Sequence, residues 1–376
     1  MSASDRPTFM LFALWRLMAA GLVMLYHFCE YGPPAFAEFS TDLELLSQLL
    51  DLFFIISGFL IWTHYSGRLH SVAEFKAFIV RRLARLYPLH LLTLSCFCLV
   101  WLLVAVGLIN ANMVDYFTFI ELLKELLLVN AWGLTDILNF NYVSWSLSAE
   151  WFCYLLFPLI LLVSRKAGLL GLVSLLVISV FVLEGLTYFD LMPFPTWLEA
   201  NTWGAYRVFA DFTLGAVIAD LAAKRLLTVR SHWIAWSTFA AAIGVMLADL
   251  SWGYWSMFAI AFALYIAAQV EINAPEKSSY LKSLMPLASV SFRIYLWHPV
   301  VGNALLGLLW ARWLEPTNAM SFMTVLLIAM FISVITALIS ARFFEAPMRR
   351  AILTWAEKRA IRKTVGKQTR ASVPAE

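Results

Sequence analysis

Charged residues are scarce in this sequence of 376 residues. Asp, Glu, Lys and Arg make up 14% of the chain and hydrophobic residues 62%, whereas a soluble domain has about 25% charged residues. The mean hydropathy is +0.79. This composition excludes a soluble globular protein, and no nucleic-acid partner is expected. We therefore predict an all-α, polytopic membrane protein.

Cysteine is also rare, with four residues at positions 29, 96, 98 and 153. Their spacing matches neither C-x-x-C nor a typical metal site, so no metal is expected. We interpret them as small apolar helix residues, with a Cys29–Cys153 disulfide as the alternative.

The first forty residues resemble a secretory signal, but Arg16 interrupts the apolar region and further apolar segments follow, so cleavage is not expected.

Long apolar runs, in contrast, are plentiful. A window of about 20 residues gives ten candidate transmembrane helices. They cover residues 9–28, 45–65, 88–109, 150–163, 167–186, 203–223, 232–250, 252–270, 284–310 and 319–343. The amphipathic stretch FIELLKELLLVNAWGL before the fourth is predicted to lie in the interface. No repeat is evident, and we expect a membrane domain over residues 1–350 and a basic cytoplasmic tail over residues 351–376.

Lysine and arginine are distributed asymmetrically among the loops. With ten spans, the side that carries both termini receives 21 of the 27 Lys and Arg residues, and the opposite loops hold only Lys124 and Arg312. By the positive-inside rule both termini are predicted to be cytoplasmic, in a bacterial inner membrane. The remaining four lie inside spans or at the end of one: Arg16, Arg207, Arg293 and Arg342.

Arg16 and His27 share the first apolar segment, LWRLMAAGLVMLYH. Eleven residues of helix make three turns plus only ~20°, so both side chains lie on one face, ~16 Å apart along the axis. Ionisable residues inside a membrane are candidate functional residues. A structural histidine with buried polar contacts is the alternative.

Polar residues in the next two spans form two further motifs. In DLFFIISGFLIW, Asp51 enters the second span, and Ser57 and Gly58 allow another backbone or a slender ligand to approach closely. Asp51 is equally compatible with an interfacial helix cap. In RRLARLYP, Arg82 and Arg85 share a helix face at the cytoplasmic surface. They are suited either to phosphate binding or to anchoring at anionic lipid.

Three motifs follow in the second half of the chain. Ser146 and Glu150 are i, i+4 neighbours in WSLSAEWFCYLLFP. Helix capping is the alternative there. His298 falls near the middle of the ninth span, in SFRIYLWHP, with Pro299 behind it. Glu345 in FFEAPMRR is interpreted as part of an ion pair at the membrane boundary.

These motifs, taken in order over residues 9–350, resemble the acyltransferase 3 family of integral-membrane O-acyltransferases. The resemblance implies transfer of an acyl group, usually acetyl from acetyl-CoA, to a hydroxyl of a polysaccharide, glycolipid or similar acceptor. Acyl-CoA, this acceptor and membrane lipid are thus the expected partners. A homo-oligomer or association with polysaccharide-assembly machinery is compatible with the resemblance.

Histidine is the side chain suited to remove a hydroxyl proton near neutral pH. His27 is therefore our candidate general base, oriented by Glu150 or else by Asp51. Arg16 would contact the donor or stabilise the oxyanion, and Arg82 and Arg85 would bind the CoA phosphates.

The remaining site residues are assigned more loosely. Ser57 and Gly58 are predicted to lie along the donor path, and the acceptor is predicted to contact Trp145, Ser146, Tyr154 and His298. Direct transfer is favoured over a covalent acyl-enzyme at Cys29 or Ser57. The competing functions are a transporter or flippase of lipid-linked glycan, for which paired repeats would be expected, and a scaffolding subunit.

Overall fold

The computed structural model describes residues 9–108, 117–199, 201–248 and 254–371, and within these ranges the chain is helical and forms no strand. The predicted all-α class is thereby confirmed. The helices are α1 (Met10–Cys29), α2 (Pro34–Glu44), α3 (Leu49–Tyr65), α4 (Val72–Ala105), α5 (Phe119–Leu127), α6 (Trp145–Tyr188), α7 (Gly204–Ala223), α8 (His232–Leu247), α9 (Tyr254–Asn273), α10 (Met285–Ala288), α11 (Ser291–Gly302), α12 (Phe322–Ser340) and α13 (Ala346–Ala371). Short 3₁₀ turns precede α6, α7 and α10, and π-helical segments follow α11 and α12.

The predicted number of spans is not confirmed. Each predicted span coincides with a helix, but only six described segments are long and apolar enough to cross a bilayer, or seven if the bent α2–α3 pair counts as one. Helix α8 has only 16 residues, about 24 Å. Helix α7 carries Arg207, Asp211 and Asp220 in its 20 residues. The orientation of the termini stays a prediction.

The fourth and fifth predicted spans both lie in α6, whose 44 residues form two helices that meet at a kink at Gly168. A straight helix of that length would measure about 66 Å, more than twice the hydrocarbon thickness. Its backbone leaves helical geometry at Gly168, with φ 58° and ψ −143°. Only glycine adopts this conformation readily, so Gly168 divides α6 into two segments beside Arg165 and Lys166.

The larger core surrounds the contact between α3 and α7. A Cβ atom at Gly58 would lie 2.0 Å from the carbonyl oxygen of Phe212, and one at Gly215 would lie 2.1 Å from that of Ile55. The two backbones therefore touch, as small residues permit in membrane helices. At the Asp51 end of this contact the buried carboxylate of Asp51 pairs with Arg207 of α7 at 2.5 Å.

A second core packs α1 against α11 and α12. Arg293 of α11 donates from Nε to both carboxylate oxygens of Glu345, at 3.0 and 2.9 Å. The ion pair expected at Glu345 is thus confirmed, and its partner is an arginine from a different span.

The segment between α4 and α6 is held by one buried carboxylate. Glu125 of α5 accepts hydrogen bonds from Ser144 Oγ at 2.7 Å and Asn130 Nδ2 at 2.9 Å. The His90 Nε2 atom lies 2.9 Å from the backbone oxygen of Glu125. Desolvation raises the pKa of Glu125 to about 8. With nine residues, α5 is too short to span the membrane, as the amphipathic pattern predicted.

The predicted domain boundary at residue 350 falls inside α13, which continues to Ala371. The first eight residues, the start of the predicted eighth span at Trp252, and the last five residues of the tail lie outside the described residues.

Candidate active site

A cavity of about 240 Å³ follows one face of α3. Eight residues of this helix, from Leu50 to Tyr65, line it at successive spacings of one or three. Fifteen residues of helix correspond to about 22 Å along the helix axis. The remaining wall comes from distant parts of the chain: Arg16, Arg82, Arg85, Ser146, Glu150, Phe292 and Tyr295.

Arg82 and Arg85 lie at the Tyr65 end of this cavity, where the sequence predicted a phosphate site. The Arg82 Nη2 atom donates to the hydroxyl of Tyr65 at 3.1 Å. Its guanidinium also lies 5.3 to 5.7 Å from the ring centres of Tyr65, Phe78 and Tyr154. Three rings thus hold the Arg82 side chain against the cavity, and an ordered guanidinium is suited to bidentate anion binding.

The middle of the cavity contains a carboxylate with two hydroxyl donors. Ser57 Oγ and Tyr154 Oη both donate to Glu150 Oε1, the latter at 2.5 Å. Arg16 lines the same space. Within the described part of the chain, the buried Nε atom of Arg16 has no hydrogen-bond partner, so it is available to an oxygen of a bound molecule.

His27 lies beyond this cavity and is not one of its lining residues. Its Nδ1 atom is 3.1 Å from Glu30 Oε2, and its side chain is 21% exposed. Its ring stacks on that of His298, with ring centres 5.3 Å apart and planes at 15°. The carboxylate beside the imidazole is therefore that of Glu30, whereas Glu150 bonds to Ser57 and Tyr154, and Asp51 to Arg207.

Tyr295 connects the cavity to the histidine pair. It lines the cavity, and its ring centre lies 5.7 Å from that of the fully buried His298. Tyr142 closes the other side, with its ring centre 5.0 Å from that of His27. One aromatic ring and one imidazole therefore separate the cavity from His27.

Several residues predicted for the site lie elsewhere. Gly58 lies against the α7 backbone. The sequence allowed either another backbone or a slender ligand to approach this glycine, and the structure shows a backbone there. Trp145 packs on Gly204 and Phe54. All four cysteines are free, and Cys29 and Cys153 belong to different cores, so the alternative disulfide does not form.

Sequence reasoning missed Glu30 and Tyr295. Glu30 follows His27 by three residues, the spacing at which helix side chains meet, so that signal was present. Tyr295 lies in an aromatic stretch with nothing to distinguish it from a packing residue.

The described fold and cavity define a multi-pass membrane protein with a polar site between its helices. A model of the acyltransferase 3 family, described as an acyltransferase domain, matches residues 12–342. The chain therefore belongs to this family. It is also similar to acyltransferase MdmB of Streptomyces mycarofaciens, with 34% identity over 158 residues. That match covers 40% of this chain and 38% of MdmB. No solved structure matches.

Proposed function

We propose that this acyltransferase moves an acyl group, acetyl in the first instance, from cytoplasmic acyl-CoA to a hydroxyl of a cell-surface polysaccharide or lipid-linked glycan. The observation that carries the proposal is the cavity along α3, which α3 lines over about 22 Å and whose wall includes two arginines. A pantetheine arm about 15 to 20 Å long matches this length, by the reach of an extended chain.

The positive charges of Arg82 and Arg85 support the donor end of this proposal. The CoA nucleotide carries phosphates, and Arg82 and Arg85 offer planar guanidinium groups whose geometry matches phosphate oxygens. Arg16 lies farther along the same cavity. In this scheme its positive charge stabilises the oxyanion that forms on the thioester carbonyl.

The acceptor end is supported by His27 and its surroundings. With Glu30 accepting from Nδ1–H, the Nε2 lone pair is free to remove the acceptor proton.

Mass spectrometry of cell-envelope glycans, with and without the gene, tests the proposal. We expect the deletion to remove one acetyl mass per modified site, and the wild-type gene to restore it. A gene carrying Arg82→Lys together with Arg85→Lys keeps the charges but loses the planar donors, so it should restore much less. An unchanged glycan profile, with lipid-linked glycan accumulating on the cytoplasmic side, would instead favour the flippase function.

A further inference from the structure

The contact between Ser57 and Glu150 has no part in a direct transfer from thioester to acceptor. Ser57 comes from α3 and Glu150 from α6, and both line the cavity. The serine hydroxyl donates to the carboxylate. A hydroxyl bonded to a general base, at the wall of a cavity that admits a thioester, is the arrangement of an activated nucleophile.

Two neighbouring groups complete this arrangement. Tyr154 donates to the same carboxylate oxygen of Glu150 at 2.5 Å and so fixes the base. Arg16 lines the cavity beside them. Because its Nε atom lacks a partner among the described residues, the guanidinium can interact with a developing oxyanion at low cost in reorganisation.

The position of Ser57 along α3 is also compatible with a covalent intermediate. Ser57 lies eight residues from Tyr65, about 12 Å along α3, and seven residues from Leu50, about 10 Å. A donor bound at the arginines reaches Ser57 well within the length of its arm. His27, in contrast, is separated from the cavity by Tyr295 and His298.

We propose that Ser57 accepts the acyl group as a covalent ester before the group passes to the acceptor, with Glu150 as the base of this first half-reaction. The inference rests on the proposed function. Ser57 Oγ gives its proton to Glu150 and attacks the thioester carbonyl. The C–O bond forms, the C–S bond breaks, and CoA leaves as a thiolate that takes a proton from cytoplasmic water.

The second half-reaction uses His27 as its base, at the acceptor end of the site. Once the rings of Tyr295 and His298 between them have moved aside, the acceptor hydroxyl gives its proton to His27 and attacks the Ser57 ester, so that the new C–O bond forms and the bond to Oγ breaks. Oγ recovers its proton from Glu150. His27 releases the acceptor proton through its exposed edge, where Glu30 is 49% exposed.

Labelling of the purified full-length protein with isotope-labelled acetyl-CoA, without acceptor, tests the intermediate. After an acid quench, wild type should retain up to one label per chain, located by mass spectrometry in the peptide that contains Ser57. Ser57→Ala should retain none. Ser57→Cys should form a thioester that neutral hydroxylamine removes. Ser333→Ala, which deletes another serine hydroxyl of a membrane helix bonded only to its own backbone, should label like wild type.

His27→Gln gives the sharpest comparison, because it should label at Ser57 and yet leave the envelope unmodified. Loss of the label in His27→Gln would overturn the assignment of Glu150 to the first half-reaction and His27 to the second. Restoration of glycan acetylation by Ser57→Ala, within about threefold of wild type, would overturn the intermediate and leave the proposed function intact. Failure of wild type to use acetyl-CoA at all would overturn both.

Discussion

At the scale of single residues, the structure shows two separate carboxylate pairings that the sequence analysis did not assign. Glu150 accepts hydrogen bonds from Ser57 and Tyr154 inside the cavity. Glu30 lies within hydrogen-bonding distance of His27 at the edge of the protein. The exposed Glu30 pair is worth at most about 1 kcal/mol, which corresponds to roughly fivefold in rate. Its loss should therefore affect catalysis far less than the loss of the imidazole.

Replacement of His27 by glutamine should lower acyl transfer by about 10² to 10⁴-fold, the usual contribution of a general base. Glutamine keeps polarity and approximate size, so the protein should still accumulate in the membrane. The measurements are envelope acetylation and membrane abundance in the same cells. His232→Gln is the matched control, because His232 lies at the start of α8 beside Tyr280. A His27→Gln protein that is merely less abundant, with normal activity per molecule, would identify a structural histidine.

At the scale of secondary-structure elements, the α3–α7 contact positions Asp51, Ser57 and the whole lining face of α3. Gly58→Ala places a Cβ 2.0 Å from a backbone oxygen, so the helices must separate. Overpacking of this kind costs about 1 to 3 kcal/mol. We expect a lower melting temperature in detergent and reduced activity.

Gly244→Ala is the control for Gly58→Ala. It lies in α8 with no atom within 4 Å of the added Cβ, and alanine favours a helix over glycine by about 1 kcal/mol. Its melting temperature should stay constant or rise. Equal melting temperatures of Gly58→Ala and wild type would show that the backbones are not in contact.

The segment that contains α5 should respond to pH through Glu125. Its folded-state pKa is raised from 4.5 to about 8, so the folded protein holds a proton that the unfolded chain releases above pH 4.5. This contribution to stability is complete below that pH and is lost as pH rises towards 8. The melting temperature of wild type should fall across this window, and that of Glu125→Gln should fall less. Parallel curves would contradict a protonated Glu125.

At the scale of the whole molecule, topology decides whether the arginine end of the cavity faces the cytoplasm, as the proposed CoA donor requires. Reporters fused at Arg68 and at the C-terminus should be cytoplasmic, and reporters at Pro33 and Asn139 should lie outside, as the distribution of 21 against two basic residues predicts. Counts of six or ten spans place both termini on one side, whereas seven places them on opposite sides. An outside C-terminus would therefore reject the even counts.

The sequence predicted those candidate-site residues that are polar or charged within otherwise apolar segments. Arg16, Ser57, Arg82, Arg85, Ser146 and Glu150 are polar groups in apolar or interfacial segments, and all six line the cavity. Pairings between distant segments were not predictable, because a single sequence carries no record of which helices touch. Asp51 with Arg207, and Arg293 with Glu345, are of this kind. The number of spans is not confirmed, because α7 carries charged residues, α8 is short, and two predicted spans are joined across the kink at Gly168.

The aromatic stack beyond the cavity has a consequence for the cell's energy supply. A polar channel open at both faces would conduct ions and dissipate the membrane potential. Here Tyr295, His298 and Tyr142 fill the passage with rings, and His298 is fully buried. An ion entering between these rings would lose hydration that the rings do not replace. The proposed acyl transfer would thus take place in a site that is closed to ions while these rings are in place.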